Sequence, residues 1–398
     1  MVARPTADDV ASGAAWSMLV DRISKMGELV WNADQSSSGG MTAEGMRYLL
    51  RFLAAGISLC VEHDDVDTPE LGRMIEDRMS WGLDNPDTLY TYTRVRGDAD
   101  YRIVGTRGTA RHIEFQVNTG HYSDGDFTGW QAVSALAGDD VIEGQNGVFE
   151  IVLSASPHEG NWMALNDDAS FLLIRQYFAD WNVERPWDLA IERMDGTQPA
   201  PAIDDVVMAA RTRLLIDWLD VGLHCWDAIS AGILTAPVGD ITPFLPPAQA
   251  SGLKGQAYGM APWRCGPEEA VVLEFHPPPC RMWGISLCDR HWQSIDFADR
   301  QSSINSAQAV LTAADRFIGV ISHDDPGVAN WLDPAAETKG TVAVRYLMAE
   351  AVPTVQYRTV PRADLEASLP ADVPRLSPDE RRRVLAARRL AVARRYRR

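Results

Sequence analysis

Apolar residues recur at helical spacing through most of the first ninety residues. Residues 11–31 and 43–62 place them at intervals of three and four, so that they fall on one face of a helix. A Thr-Pro-Glu run at residues 68–70 is typical of a third helix start, because a hydroxyl N-cap is followed by proline. These patterns predict a helical N-terminal region over residues 1–88.

The pattern changes from residue 89 onward. Short β-rich segments such as TLYTYTRV, HIEFQV, VFEIVLSA and FLLIRQYF alternate with Gly, Asp and Asn, which indicates strands joined by turns. Helical spacing returns over residues 203–232, and a loop rich in Pro and Gly follows. The boundaries predicted from these changes are a first β unit at 89–200, a helical connector and loop at 201–264, a second β unit at 265–360 and a C-terminal region at 361–398.

The two β-rich stretches resemble each other. The first contains Y-R-I-V-G-T-R-G-T-A-R-H-I and the second contains C-R-M-W-G-I-S-L-C-D-R-H-W. The aligned positions, in chain order, are Arg102 with Arg281, His112 with His291, residues 131–133 with 308–310, and Trp162 with Trp331. A repeat that keeps its order predicts an α+β, mainly β chain of two duplicated β-sandwich or jelly-roll units, with the N-terminal helical region, the helical connector and a C-terminal helix.

The second copy also resembles a known family. Its run M-W-G-I-S-L, S-I-D, H-D-D-P-G, A-N-W-L-D and V-R-Y-L is similar to the domain of unknown function twelve-fourteen, most clearly over residues 281–350. That domain often follows a partner domain numbered twelve-fifty-four. The resemblance implies an all-β, jelly-roll-like fold and attaches no particular reaction to it.

Charge is unevenly spread. The chain has 37 basic and 55 acidic side chains, for a net charge of -18, which disfavours a nucleic-acid partner. The last 18 residues, however, carry nine arginines and no acid, and Ser377-Pro378 before them predicts a helix start. Three interpretations remain open: a helix docked on an acidic surface of this chain or of a sister copy in a homo-oligomer, a solvated helix, or a tether to a membrane or polyanion.

Other sequence features predict a protein without a transmembrane segment. No apolar run approaches the length of a membrane span, and the first residues lack the apolar core of a signal peptide, so we expect a cytoplasmic protein. Five widely spaced cysteines fit neither a disulfide framework nor a zinc site. Glycine-rich phosphate loops are missing as well, and we predict neither a metal nor a cofactor.

Two loops carry the side chains that acid–base chemistry needs. The first, after a predicted strand, holds His121, Asp124 and Asp126; it fits a plain turn, an acid–base site or an incomplete calcium loop. The second holds His323 and Asp325, where a carboxylate two residues away would fix the tautomer of the imidazole; because His158-Glu159 occupies the same place in the first copy, a structural role is the alternative that the repeat favours.

Four further residues are predicted to bind a substrate. Arg281 and Asn330 would hold an anionic or hydroxyl group, and Trp292 and Trp331 would line the cleft, unless these side chains only brace strands and fill the core.

The leading hypothesis is a cofactor-independent acid–base enzyme, a hydrolase or lyase, acting on a hydroxylated small molecule such as a carbohydrate or a ring-containing lipid. The alternative is a non-catalytic ligand-binding or interaction protein. Convergence of His121 and His323 on one pocket would distinguish the two.

Overall fold

The computed structural model combines helices with four β-sheets, which bears out the predicted α+β, mainly β class. The residues that it describes are 4–38, 42–125, 130–196, 202–241, 243–244 and 255–397, with the backbone alone for 33–38 and 243–244.

The predicted N-terminal helices are present. The chain begins with α1 (Ala7–Ser12), α2 (Ala14–Ser38) and α3 (Ala43–Ile57), and a π-helical turn (Ser58–Glu62) continues α3. The side-chain hydroxyl of Thr42 caps α3 by accepting a hydrogen bond from the Gly45 N–H.

The prediction of a third helix at residues 68–70 is wrong. This segment is extended and leads into the short strand β1 (Gly72–Arg73), which pairs antiparallel with the next strand. The Asp65 side chain accepts hydrogen bonds from the N–H groups of Asp67 and Thr68, so a side-chain turn satisfies the groups that a helix start would have used.

The first β unit consists of two sheets packed face to face. One has the order β1-β2-β8-β4-β5 and the other β7-β6-β3-β9. Phe115 and Ile174 of the first sheet meet Ile103 and Ile151 of the second in a common buried core. The strands are β2 (Thr88–Arg94), β3 (Tyr101–Thr106), β4 (His112–Asn118), β5 (Ala132–Ala137), β6 (Val148–Ser154), β7 (Trp162–Ala164), β8 (Phe171–Tyr177) and β9 (Asp188–Arg193).

A helical connector joins the units, as predicted. It contains α4 (Asp205–Asp217), a π-helical turn (Trp218–Gly222) and α5 (Leu223–Leu234). The ring of Trp218 stacks on that of Phe52 in α3 with a centroid distance of 4.2 Å, which packs the connector against the N-terminal helices.

The second β unit repeats the arrangement of the first. Its sheets have the orders β10-β11-β17-β13-β14 and β16-β15-β12-β18, which match the first unit strand for strand. The duplication predicted from the sequence is therefore present in the fold. The strands are β10 (Pro243–Phe244), β11 (Gln256–Arg264), β12 (Glu269–Phe275), β13 (Met282–Cys288), β14 (Ser303–Asn305), β15 (Phe317–Ile321), β16 (Trp331–Leu332), β17 (Lys339–Leu347) and β18 (Gln356–Pro361).

The predicted alignment of the repeat is wrong at its first block. The Arg281 N–H donates to the Leu347 carbonyl just before β13, and the Arg111 N–H donates to the Tyr177 carbonyl just before β4. Arg281 thus corresponds to Arg111, whereas Arg102 lies on β3, a strand of the other sheet. The sequence alignment matches similar residues in β3 and β13, although these strands occupy different positions in the sheets of the two units.

Two other aligned blocks fail for the same reason. His112 lies opposite Tyr177 and Met282 lies opposite Leu347, so the counterpart of His112 is Met282 rather than His291. The strand pairing likewise matches Asn305 with Ala137, which moves residues 308–310 away from residues 131–133.

The alignment of Trp162 with Trp331 is confirmed. Each tryptophan starts the short parallel strand of its unit, and each Nε1–H donates to the carbonyl of a serine, Ser154 or Ser322. The preceding residue, Asn330, donates to the carbonyls of Val310 and Ile318 and accepts from the Val310 N–H; Asn161 makes the equivalent three bonds in the first unit.

The C-terminal region ends in a helix, as predicted. After the short α6 (Leu365–Ser368), α7 (Pro378–Arg395) begins with a capping box between Ser377 and Glu380. Three arginines at intervals of seven residues, Arg381, Arg388 and Arg395, are buried.

The expected docking of this helix on an acidic surface needs correction. Arg388 donates to the Phe297 carbonyl and to the Ser303 hydroxyl, and its guanidinium lies 4.4 Å from the centre of the Trp181 ring. Arg395 donates to the Pro86 carbonyl and lies over the same ring at 4.5 Å. The buried face of α7 therefore binds mainly carbonyls and aromatic rings. Among the described residues, Arg381 forms a direct ion pair with Asp325, and the charge of the buried Asp87 carboxyl acts on Arg388 and Arg395.

Within the part of the chain that the structure describes, no helix is long and apolar enough to cross a bilayer.

Candidate functional site

A cavity of about 350 Å³ lies between the two β units. Strands β2 and β8 of the first unit and β11 and β17 of the second form its walls, and residues 74–85 and helix α5 complete it. Tyr90, Arg175 and Tyr258 in this wall remain partly exposed, so the cavity is open to solvent. The lining residues are Met74, Ile75, Trp81, Gly82, Leu83, Asp84, Asn85, Tyr90, Tyr122, Leu173, Arg175, Tyr177, Trp226, Gln256, Tyr258, Met260, Trp292 and Arg345.

The duplication gives the cavity a matching tyrosine and arginine on each side. Tyr90 on β2 lies opposite Arg175 on β8, and Tyr258 on β11 lies opposite Arg345 on β17. Because these strands hold the same places in their sheets, the two Tyr–Arg pairs are equivalent. The two units thus present the same pair of side chains to a shared space.

Arg345 carries a charge that no carboxylate among the described residues neutralises. Its guanidinium donates to the Ser286 hydroxyl (3.1 Å) and the Leu83 carbonyl (2.6 Å), and it forms no salt bridge with any described residue. Arg175 donates to the amide oxygen of Gln116 at 2.9 Å. Since an unneutralised buried charge is costly, a guanidinium in this position favours an anionic group in the cavity.

Three tryptophans form the apolar part of the wall. The rings of Trp81 and Trp226 are 5.5 Å apart in an edge-on arrangement, and Trp226 and Trp292 are 6.3 Å apart. Ring surfaces of this kind suit a flat apolar group on a ligand.

Phenol groups complete the polar lining. The hydroxyl groups of Tyr177 and Tyr258 both donate to the side-chain oxygen of Gln256, at 3.0 and 3.1 Å. Burial raises the pKa of both Tyr90 and Tyr122 to about 12, so these phenols are neutral donors at physiological pH.

One carboxyl group, Asp84, also lines the cavity. Its Oδ1 atom accepts hydrogen bonds from the Ser80 hydroxyl at 2.6 Å and the Ser294 N–H at 2.8 Å. The residue is only 2% exposed, and burial raises the pKa of its carboxyl.

The backbone beside Asp84 is strained. Leu83 and Trp292 have φ angles of 56° and 60°, in the left-handed region that large side chains rarely adopt. The Leu83 N–H donates to the Trp292 carbonyl at 2.8 Å, so the two strained residues hold each other at the cavity wall. Strain of this kind tends to concentrate at functional sites.

The predicted catalytic residues His121 and Asp124 do not line the cavity, although Tyr122 between them does. His121 is buried, and its Nδ1 atom lies 2.7 Å from the Ser123 hydroxyl, while the Asp124 carboxylate accepts from the His121 backbone N–H at 2.6 Å. Burial, together with the nearby Arg94 charge, lowers the pKa of His121 to about 3. The loop is a closed turn around a neutral imidazole. Asp126 lies outside the described residues.

The second predicted loop is held by its own unit and by α7. The two ring nitrogens of His323 lie 3.0 Å from the Cys265 carbonyl and 3.3 Å from the Ala335 carbonyl. Asp325 accepts hydrogen bonds from the Arg381 guanidinium at 3.0 Å and from the Gly327 N–H. The structure therefore does not bring His121 and His323 together, and neither lines the cavity between the units.

Of the four predicted substrate-binding residues, Trp292 alone lines the cavity. Arg281 contacts His112 and Asp139 at the junction of the units. Asn330 and Trp331 make the backbone hydrogen bonds that start β16, as described above.

Sequence reasoning missed Arg175, Arg345 and Asp84. Arg175 lies in the predicted strand FLLIRQYF, and Arg345 lies in the run V-R-Y-L that carries the family resemblance. An arginine inside an otherwise apolar strand of both copies was the available signal, because such a charge needs a partner or a cavity. Asp84 lies in an irregular segment with no such pattern.

Among the residues that the structure describes, no three His, Cys, Asp or Glu side chains are close enough together to hold a metal ion.

Comparison with known proteins supports the fold. No family model matches the chain, and no curated protein matches it either. An uncharacterised protein from Burkholderia cenocepacia of known crystal structure is 28% identical, with a TM-score of 0.84 over 90% of this chain and 100% of its own. A Vibrio parahaemolyticus protein is 10% identical, with a TM-score of 0.45 over 78% of this chain and 97% of its own.

Proposed function

We propose that this protein binds a small anionic molecule with a flat apolar body, such as an aromatic carboxylate, in the cavity between its β units. The observation that carries the proposal is Arg345, a guanidinium that has no carboxylate partner in the part of the chain that the structure describes and that lies beside a wall of tryptophan rings. The anionic group would pair with Arg345 and Arg175, and the apolar body would lie against Trp81, Trp226 and Trp292.

Electrostatics supports an anionic rather than a cationic ligand. Two arginines and several neutral phenols line the cavity. Glu114 lies directly opposite Arg175 and offsets part of its charge, whereas Arg345 lies opposite Gly284, so Arg345 supplies the main positive charge. Burial raises the pKa of Asp84, the carboxyl group in this lining. The protein as a whole is acidic, so a positive cavity would also set this site apart from the rest of the surface.

Binding is favoured over the acid–base reaction expected from the sequence. That reaction relied on His121 and His323, which make their contacts within separate units. A ligand-binding protein was the alternative hypothesis, and it needs only the residues that meet in the cavity.

Matched probes test the proposal. Isothermal titration calorimetry would compare indole-3-acetate with indole-3-acetamide, and benzoate with benzamide, so that each pair differs in charge and little in shape. We expect the two acids to bind and the two amides to bind at least tenfold more weakly, because a charge-assisted hydrogen bond contributes roughly 1.5–3 kcal/mol. Equal affinity for acid and amide, or binding of neither, would contradict the proposal.

A substitution locates the site. Arg345→Gln removes the charge while keeping hydrogen-bond donors, and we expect it to weaken acid binding roughly tenfold or more. Arg102→Gln is the matched control, since Arg102 is an exposed arginine on the outer sheet of the first unit, paired with Glu192 and Glu150. Arg175→Gln tests the equivalent position if Arg345→Gln does not fold, as judged by circular dichroism. Unchanged acid binding in both cavity variants would place the site elsewhere.

A further inference from the structure

The two oxygens of the Asp84 carboxyl group differ in their hydrogen bonds. Oδ1 accepts from the Ser80 hydroxyl and the Ser294 N–H, whereas Oδ2 accepts no hydrogen bond from any described residue and is not sealed from solvent. Because Asp84 lines the cavity, Oδ2 is the atom available to a ligand.

No cation of the described chain pairs with this carboxyl group. Arg51 is the nearest buried base to act on it, but its guanidinium donates to Gln293 and to the Asp77 carbonyl instead. Arg345 donates to the carbonyl of the adjacent Leu83 and forms no salt bridge. A carboxyl group buried without a cation favours its neutral form, since the charged form loses its hydration.

The groups around Asp84 act in both directions. The hydrogen bonds from Ser80 and Ser294 and the Arg51 charge favour the ionised form, but desolvation of the buried carboxyl has the largest effect and raises its pKa. The titratable and charged groups around Asp84, by element, are Arg51 on α3, Tyr90 on β2, Cys288 and Asp289 at the end of β13, Arg345 on β17 and Tyr396 after α7.

We propose that Asp84 is a neutral carboxylic acid that donates a hydrogen bond from Oδ2 to the acidic group of the ligand, next to Arg345. The inference rests on the function proposed above and specifies its chemistry. The ligand presents a carboxylate that accepts one hydrogen bond from an acid and another from a guanidinium.

This arrangement predicts a pH dependence. When Asp84 ionises, its donor is lost and its charge repels the ligand, so affinity falls by at most about tenfold per pH unit above the pKa of Asp84. Asp84→Asn keeps a neutral donor at the same place, and its amide oxygen still accepts from Ser80 and Ser294. The variant should therefore bind indole-3-acetate with an affinity that stays constant over the same pH range.

An infrared measurement tests the neutral acid without any ligand. The difference spectrum between wild type and Asp84→Asn, recorded at about pH 6, where ordinary aspartates are ionised, should show the carbonyl stretch of a protonated acid. Asp168→Asn is the control, because Asp168 is exposed in the turn before β8 and its difference spectrum should show carboxylate bands. Carboxylate bands for Asp84 as well would overturn the inference.

Calorimetry with indole-3-acetate then tests the donor role from about pH 5 to pH 9. Wild type and Asp168→Asn should lose affinity as pH rises, and Asp84→Asn should not. The same loss in Asp84→Asn would overturn the role of Asp84 while the binding function stands. Failure of wild type to bind either acid at any pH would instead overturn the proposed function, and with it the donor role, whatever the infrared spectrum shows.

Discussion

Burial determines the protonation state of His121. The imidazole is 5% exposed, and desolvation with the nearby Arg94 charge lowers its pKa to about 3, whereas an unfolded histidine has a pKa of about 6.5. Between these values the unfolded chain binds a proton that the folded chain does not. The residue therefore contributes stability above about pH 6.5, and this contribution is lost as pH falls toward 3.

A prediction for His121 follows from this difference. Between about pH 7 and pH 5, the His121 contribution to the free energy of unfolding should fall by roughly 2 kcal/mol, at up to 1.4 kcal/mol per pH unit below 6.5. His121→Gln should flatten this dependence in urea titrations, even if it lowers stability at every pH. The control is His158→Gln, because His158 is exposed and should leave the slope unchanged. An unaltered slope in His121→Gln would mean that the buried imidazole is protonated in the fold.

Helix α7 shows how a charged sequence can form a buried element. Its arginines at 381, 388 and 395 recur every two turns and therefore share one face, which reaches carbonyls and aromatic rings of both units. The sequence predicted the helix from its cap and its charge. It could not predict the acceptors, because Phe297 and Pro86 contribute them through backbone carbonyls that any residue carries.

Neighbouring arginines of α7 provide a matched test. Arg388→Ala should lower the free energy of unfolding by about 2–4 kcal/mol, because it leaves buried acceptors unsatisfied and removes the contact with Trp181. Arg389→Ala should change it by less than about 0.5 kcal/mol, since Arg389 is exposed and pairs only with Asp299 at the surface.

The dependence on salt concentration distinguishes the buried contacts of Arg388 from the surface ion pair of Arg389. The effect of Arg388→Ala in urea unfolding should be nearly the same at low and high salt, because its hydrogen-bond acceptors are uncharged and its surroundings are buried, where salt screens little. Equal losses in the two variants, or a loss at Arg388 that disappears in high salt, would favour a helix docked by surface charge.

The pattern of β-rich segments predicted the repeat, but it did not predict which strands of the two copies correspond. Alternating apolar segments predicted both sandwiches, and the conserved order of strands follows from the duplication. The error of matching Arg102 to Arg281 arose because an arginine lies close to the start of β3, of β4 and of β13, and the residue type alone does not tell which sheet a strand joins. The Asn161 and Asn330 positions were matched correctly because each satisfies the same three backbone groups, a requirement that permits few other side chains.

At the scale of the whole molecule, the cavity exists because two copies face each other. The matching pairs Tyr90–Arg175 and Tyr258–Arg345 come from one ancestral strand pattern, yet a cavity needs both. Sequence reasoning also took its site from both copies, through His121 and His323, but it chose loops, where catalytic groups often lie, rather than the strand positions that face the cavity. A site divided between copies is invisible until the relative placement of the units is known.

The two units also share buried cores, which predicts cooperative unfolding. One cluster joins them through α7, and a second places Tyr177 and Ala179 against Met282 and Leu347. The members of the first cluster are Leu89, Phe178 and Trp181 of the first unit, Phe297 and Ala298 of the second, and Ala391, Val392 and Tyr396 at the C-terminal end.

Because neither unit can unfold without exposing apolar surface of the other, we expect a single transition in urea. Tryptophan fluorescence and far-ultraviolet circular dichroism should give the same midpoint, and Arg388→Ala should shift both probes by the same amount. Two separate midpoints, or a shift in one probe alone, would show that the units unfold independently. In that case the cavity between them would be an opening between mobile domains, and ligand affinity would depend on how often they close.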